Sequence, residues 1–443
     1  MNSAKKRLEL NNYLINQNSE QTDFFEHSYK SYNNFTRFTK KINFNNNFDF
    51  GKTSSIEFNE LGKYGDIITN MIISFELPCL VNKTTVGGDA LSYTNTIGFN
   101  IIESVDFLIG GNLIDRHTPE IMDIYSELLT NTETRTNIDR LVNKLETIDA
   151  GTGDFNNLGG LFYTPLQFWF CRNMVNKEMS LPLFLLYRDT LELRCKIRNF
   201  NKLIITPTDI TNTNFSVSET YTINNPVLIV EYIILDTKER RRLLELNITQ
   251  TKYFLIYQVQ EIKINITNGE QTANINMETF KYLITQLFWV YKNDSNKNRN
   301  RHLDYSVTIQ KNNIDTVYNP LLKCQLTYEK QDVTDKMYSR YFVEVEPYLN
   351  NMNTPRIKSG KHNKFINTFS FSVDPKKLEQ PSGICNFSEL HCPDLHIDFI
   401  SNITSGSINI YAINYNVLQV KNGKGVLYHN LSKSMKSTFP DKK

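Results

Sequence analysis

Asp66-Ile67-Ile68-Thr69-Asn70-Met71-Ile72-Ile73-Ser74-Phe75-Glu76-Leu77-Pro78 decides the fold class. Ile67, Thr69, Met71, Ile73, Phe75 and Leu77 fall on one side of an extended chain, with Asn70, Ser74 and Glu76 on the other. That two-residue period is the mark of a half-buried strand, and Pro78 ends it because proline has no N–H to give to a ladder. Outward from this stretch the same pattern recurs. Ile101, Glu103, Val105, Phe107 and Ile109 share a side and run into Gly110-Gly111, a hairpin signal. Tyr253, Leu255, Tyr257 and Val259 alternate, then Ile262, Ile264 and Ile266; Tyr411, Ile413, Tyr415 and Val417 do so near the end. Tyr163–Phe170 and Val227–Leu235 are apolar on both sides, which predicts central strands covered on two faces.

Helices are few and short. Thr118 is placed to cap one that has Pro119 at its first position and Ile121, Ile124, Tyr125, Leu128 and Leu129 in one stripe. Asp236 with Glu239 has capping-box spacing ahead of Arg240-Arg241-Arg242-Leu243-Leu244. Polar stretches at Gly151–Gly160, Ile205–Asn225, Asn293–Arg301 and Asn350–Asn363 read as long loops. Many short strands with turn residues between them predict paired β-sandwiches, and two strand-rich halves meet near 236–252. The expected architecture is two all-β domains in tandem.

Composition bounds the function. The 443 residues suffice for two or three domains at roughly 100–200 residues each. With 49 Lys+Arg against 47 Asp+Glu, the near-neutral balance argues against a chain that coats nucleic acid. No apolar run reaches the roughly 18–20 residues of a membrane span. Met1-Asn2-Ser3-Ala4-Lys5-Lys6-Arg7 has no hydrophobic stretch behind it, so a secretory signal is not expected. Six cysteines (Cys79, Cys171, Cys195, Cys324, Cys385, Cys392) are too few for a disulfide scaffold and predict mostly buried thiols in a reducing compartment.

Motifs that carry chemistry are weak. Gly51-Lys52-Thr53 resembles the end of a phosphate loop, but Asn46 stands where its first glycine belongs, and a strand follows. Gly151-Thr152-Gly153 fails the dinucleotide pattern. Cys385, His391, Cys392 and His396 are soft ligands that extended chain would point to opposite faces, so buried thiols and surface imidazoles account for them better than zinc. Asp115, His117 and Ser126 are triad residue types at a helix entry, where capping and solvation explain them. Lys5–Arg7, Arg240–Arg242 and Lys297–Arg301 are separate basic clusters; the middle one is expected on the wet face of a linker helix. The sequons at Asn34, Asn82, Asn247, Asn265, Asn402 and Asn430 follow from an Asn- and Thr-rich composition. Tyr163-Thr164-Pro165-Leu166-Gln167-Phe168-Trp169-Phe170-Cys171-Arg172 reads as core packing rather than a ligand cage. No catalytic, cofactor-binding or metal-binding set is predicted, which favours a binding or assembly role over an enzyme.

Motif order points to a family. Thr22-Asp23-Phe24-Phe25, Gly65-Asp66-Ile67-Ile68 through Leu77-Pro78, Ile101 through Asp115, and Pro165 through Asn173 followed by Leu181-Pro182-Leu183 resemble successive segments of the major capsid proteins of nucleocytoplasmic large double-stranded DNA viruses. So do Leu235-Asp236 with Glu239-Arg240, Gln380 through Ser388, and Tyr411 through Leu418. The resemblance implies two tandem eight-stranded antiparallel jelly rolls: an arm at 1–23, a first jelly roll at 24–236, a helical linker at 237–252, a second jelly roll at 253–428 and a tail at 429–443. It implies a homotrimeric, pseudo-hexagonal capsomer tiling an icosahedral virion shell assembled in the host cytoplasm. The implied partners are neighbouring capsomers, minor capsid and penton proteins and an internal membrane, without sequence-specific nucleic acid. The alternatives are a related double jelly-roll scaffold or minor capsid protein, and a jelly-roll carbohydrate-binding protein or enzyme.

Overall fold

A computed structural model describes residues 35–57, 64–80, 92–144, 159–172, 179–205, 221–311, 314–329, 331–358, 362–377, 380–401 and 403–428. The arm, the tail, Thr22–Phe25 and Gly151–Gly153 lie outside the described residues.

Alternation and β-branched residues build eight principal strands in the first half: β1 (Phe35–Asn43), β2 (Thr53–Glu57), β3 (Ile67–Leu77), β4 (Ile102–Ile109), β5 (Asn112–His117), β6 (Gly160–Pro165), β7 (Leu191–Ile197) and β8 (Asn224–Leu235). They form two antiparallel sheets ordered β1–β8–β3–β6 and β2–β7–β4–β5. The second half has β9 (Lys252–Ile266), β10 (Thr272–Asn276), β11 (Leu283–Asn293), β12 (Leu321–Tyr328), β13 (Met337–Tyr338), β14 (Asn367–Ser370), β15 (Asp394–Phe399) and β16 (Gly406–Lys421). Their order is β9–β16–β11–β14 and β10–β15–β12, with β13 and the short strand Gln331–Asp332 both paired to β12. Adding eight to every strand number of the first pair of sheets gives the second pair. The fold is a double jelly roll.

Register follows burial. In β8 the fully buried Leu228, Val230 and Tyr232 face the core of the first half, as do Met71, Ile73 and Phe75 of β3. A bulge between the Glu231 and Tyr232 pairs changes the expected assignment at the start of β3. Ile68 is buried opposite Tyr232, whereas Ile67 is half-exposed, and Thr69 hydrogen-bonds the Glu231 carboxylate (2.7 Å) instead of joining Met71. A register shift between the Ile102 and Ser104 pairs likewise leaves Glu103 exposed, paired with Lys196 at 2.8 Å. The Gly110-Gly111 turn has φ of 57° and 78°, the left-handed region glycine enters without steric cost.

Tyr163–Phe170 is two elements rather than one central strand. β6 is an edge strand ending at Pro165, and Trp169–Arg172 forms a helical turn. The apolarity on both sides comes from that turn: Phe168, Trp169 and Phe170 all pack on Phe107 of β4, with ring centroids 5.2–5.6 Å away.

Three helices matter below: α1 (Pro119–Leu128), α2 (Thr132–Leu141) and α3 (Thr237–Thr249). α3 joins the halves. Its expected capping box does not form: Asp236 accepts from the Thr237 N–H, and Glu239 is engaged by Arg242. Arg241 and Arg242 are exposed as expected, but Arg240 turns back to the buried Asp66, 3.0 Å away.

Candidate functional site

α1 decides how the halves are joined. It leaves β5 at Thr118, whose extended backbone and carbonyl start the helix without a side-chain cap. Ile121, Ile124, Tyr125, Leu128 and Leu129 are buried, as the stripe predicts. The opposite face is buried too. Glu120, Asp123 and Glu127 recur at i, i+3 and i+7, which aligns them along the helix on the side facing the second half.

Each acid meets a cation. Lys144 Nζ lies 2.8 Å from Asp123 Oδ1 and also pairs with Glu127. From the second half, Lys364 Nζ donates to Asp123 Oδ2 at 2.8 Å and to the Leu303 carbonyl at 2.6 Å. Arg356 forks between Glu127 (Nη2 to Oε1, 2.7 Å) and Asp139 of α2 (Nη1 to Oδ2, 2.6 Å). Lys292 of β11 pairs with Glu120. Burial by itself would raise these carboxyls, but the cations outweigh it. Lys292 and Arg198 hold Glu120 at about 2; Lys144 and Lys364 lower Asp123; Lys144 and Arg356 lower Glu127.

Further hydrogen bonds extend the junction. The Val259 N–H of β9 donates to Asp115 Oδ1 (3.1 Å), Gln258 donates to the Ile114 carbonyl, and Met352 N–H donates to the Leu128 carbonyl (3.0 Å). Asn300 donates to the Ile204 carbonyl at 2.7 Å, and its own carbonyl accepts from Thr94 Oγ1 at 2.7 Å. At the other edge, β17 (Lys424–Leu427) pairs with β16, and the Gly425 N–H donates to Asp189 Oδ2 (2.6 Å). Tyr411, Ile413 and Tyr415 of β16 pack into the core of the first half, while Ile408, Ile410 and Ala412 of the same strand pack into that of the second.

The remaining sequence candidates are spread apart. Asp115 and His117 lie 2.9 Å apart and are buried, with the imidazole stacked on Phe168 (4.7 Å). Ser126 is buried on α1, and its hydroxyl has no hydrogen-bond partner among the described residues. Packing in the junction, not solvation, therefore explains these three. Gly51 takes φ 72° in a turn, Lys52 approaches Asp49, and Thr53 opens β2. His396 is held by Asn274 and Thr327; Cys385 is half-buried with its thiol pushed up by burial; Cys392 is exposed. Among the described residues, no three His, Cys, Asp or Glu side chains lie close enough to share a metal ion. Cys171, Cys195 and Cys324 are buried, Cys79 is exposed, and all six cysteines are thiols. A groove of about 200 Å³ is walled by Trp169, Met179, Leu181, Tyr253, Phe254 and Leu418 and brings no catalytic groups together.

This arrangement is a clasp. The carboxylates of α1 are spent on cations from elements that are distant in sequence, so their chemistry is to lock two jelly rolls into one unit. The sequence reading passed over Glu120, Asp123 and Glu127; three acids at helical spacing beside the apolar stripe were the one available signal.

Comparisons with known proteins agree with this construction. A family model described as major capsid protein N-terminus matches residues 23–236. A second, described as large eukaryotic DNA virus major capsid protein, matches 239–426. The chain is 23% identical to the major capsid protein of Phaeocystis pouchetii virus over 93% of this chain and 96% of that protein. It is 24% identical to that of Pyramimonas orientalis virus over 93% and 94%. Among solved structures, the capsid of Paramecium bursaria Chlorella virus 1 superposes with a TM-score of 0.73 at 21% identity, covering 92% of this chain and 99% of that one. The Faustovirus major capsid protein gives 0.68 at 11% identity, over 95% and 98%. With the two family models spanning nearly the whole chain and the double jelly roll shared with the solved capsids, the chain belongs to the major capsid protein family of large eukaryotic DNA viruses.

Proposed function

We propose that three copies of this chain close into a pseudo-hexagonal capsomer that tiles an icosahedral shell, with a structural and not an enzymatic role. The observation that carries this is the repeated strand order, β1–β8–β3–β6 with β2–β7–β4–β5 and the same sheets shifted by eight. A ring of three subunits presents six similar lobes only if each subunit contributes two of them, and a stiff clasp between the two keeps the lobes in fixed relation. We place the folding units at 24–236 and 253–428, with 237–252 as linker. The arm (1–23) and the Lys-rich tail (429–443) would face minor capsid or penton proteins or an internal membrane during assembly in the host cytoplasm.

Light scattering on the purified full chain tests this. A species near three times 51.7 kDa, with a six-lobed outline by electron microscopy, is the expected result. A monodisperse monomer across the micromolar range would overturn the trimer.

A further inference from the structure

The eight-strand shift makes each surface of one half equivalent to a surface of the other, and two surfaces lack the partner that their equivalents have. The first follows β13. Tyr341–Val345, π-helical, runs into α-helical Glu346–Asn350 and occupies the place between β13 and β14 that α1 occupies between β5 and β6. All ten residues of α1 are buried, because the second half covers its outer face. In the later helix, Phe342, Val343 and Pro347 are buried, yet the outer face is apolar as well: Val345 is 42% exposed, Leu349 56% and Tyr348 76%. A helix apolar on both faces belongs between two bodies.

The second surface is the outer side of the β1–β8–β3–β6 sheet. In its equivalent, β9–β16–β11–β14, residues Ile284–Tyr291 of β11 and Gly406–Asn416 of β16 are buried on both faces, since α1 and β5 pack on the outside. On β3 and β8, by contrast, Ile72, Val227, Ile229 and Ile233 face outward, apolar and half-exposed.

We infer that these two surfaces bind each other between copies of this chain: the Val345–Tyr348–Leu349 face of one subunit docks on the outer face of β3 and β8 of the next, repeating the contact that α1 makes with β11 and β16 inside the chain. The two patches differ, so the contact is head-to-tail and generates a closed ring when its rotation closes. This rests on the trimer reading above and names the surface that builds it.

The test uses the full chain carrying Tyr348→Glu and Leu349→Glu, both exposed in the subunit. Native circular dichroism with a trimer midpoint shifted at least tenfold to higher concentration is the expected result. If the wild type is trimeric and the variant holds together equally well, this interface is wrong and the trimer stands; a monomeric wild type removes both. A photo-cross-linking amino acid at Tyr348 decides the matter should the double variant misfold. Cross-links to residues 67–77 or 224–235 of another copy support the contact, and cross-links confined to residues 252–428, or none, overturn it.

Discussion

Replacing Lys364 by Met tests the clasp most directly. Lys364 Nζ gives two charge-assisted hydrogen bonds, to Asp123 Oδ2 at 2.8 Å and to the Leu303 carbonyl at 2.6 Å. The lysine and aspartate side chains are 4% and 0% exposed, so solvent does not rescue the partner left behind. Hydrogen bonds to charged groups contribute about 1.5–3 kcal/mol each, and removing one member of a buried pair costs about 3–5 kcal/mol. Asp123 keeps Lys144 at 2.8 Å, which places the loss at the lower end, about 3 kcal/mol. Methionine is of similar length, so little cavity cost is added. Urea unfolding at fixed protein concentration, followed by tryptophan fluorescence, reads both halves, because Trp169 lies beside the junction and Trp289 in the second core. Adding Asp123→Asn to Lys364→Met removes the stranded charge, so the double variant should be more stable than the sum of the singles predicts, by about 0.5–3 kcal/mol of coupling. A loss below about 1 kcal/mol for Lys364→Met, or strict additivity in the cycle, would refute the idea that buried charge pairing holds the halves together.

Acid should weaken the protein in two stages. Burial and Arg198 hold His302 at about 3 against an ordinary 6.5, so the unfolded chain takes up the proton first and stability falls by up to about 1.4 kcal/mol per pH unit from 6.5 toward 3. Glu120, lowered from 4.5 to about 2, contributes stability that is complete above 4.5 and drains as pH falls toward 2; near-UV circular dichroism against pH should show loss of the junction in that lower window, and complete loss by pH 5 would contradict it. Gly98→Ala places a Cβ 2.7 Å from Val142 Cα at the end of α2, and we expect about 1–3 kcal/mol of destabilisation by urea unfolding. In a timed maleimide reaction Cys79 and Cys392 should label in the native protein, while Cys171, Cys195 and Cys324 wait for unfolding.

Strands were legible where one face meets a core and the other meets water, as in β3, because that contrast is local and repeats every second residue. The departures have local causes. A bulge at Thr69 moved Ile67 outward, and a helical turn after Pro165 used apolar residues that imitate a buried strand. The polar face of α1 was passed over for a different reason. Its partners Lys292, Arg356 and Lys364 lie about 170 to 240 residues away, and no window on the helix contains them. Asp115 was discounted as solvated on the same ground, since Val259, which donates to it, follows much later; His117 is packed against Phe168 and Tyr125. Val227–Leu235 was expected to be covered on both faces; within one subunit it is covered on one, and the other face is where a second copy is inferred to dock.

The pairing of β1 with β8, and of β9 with β16, also sets a timetable for synthesis. Phe35 meets Leu235 and Lys252 meets Val420, so each jelly roll closes only when its last strand has left the ribosome. At about 5–20 residues per second, the first strand waits on the order of 10–40 s for its neighbour. When the first half does close, α1 presents Glu120, Asp123 and Glu127 while Lys292, Arg356 and Lys364 are still untranslated. Nascent chains released before residue 364 therefore carry an acidic helix matched only in part, by Lys144 and Arg135, beside apolar sheet.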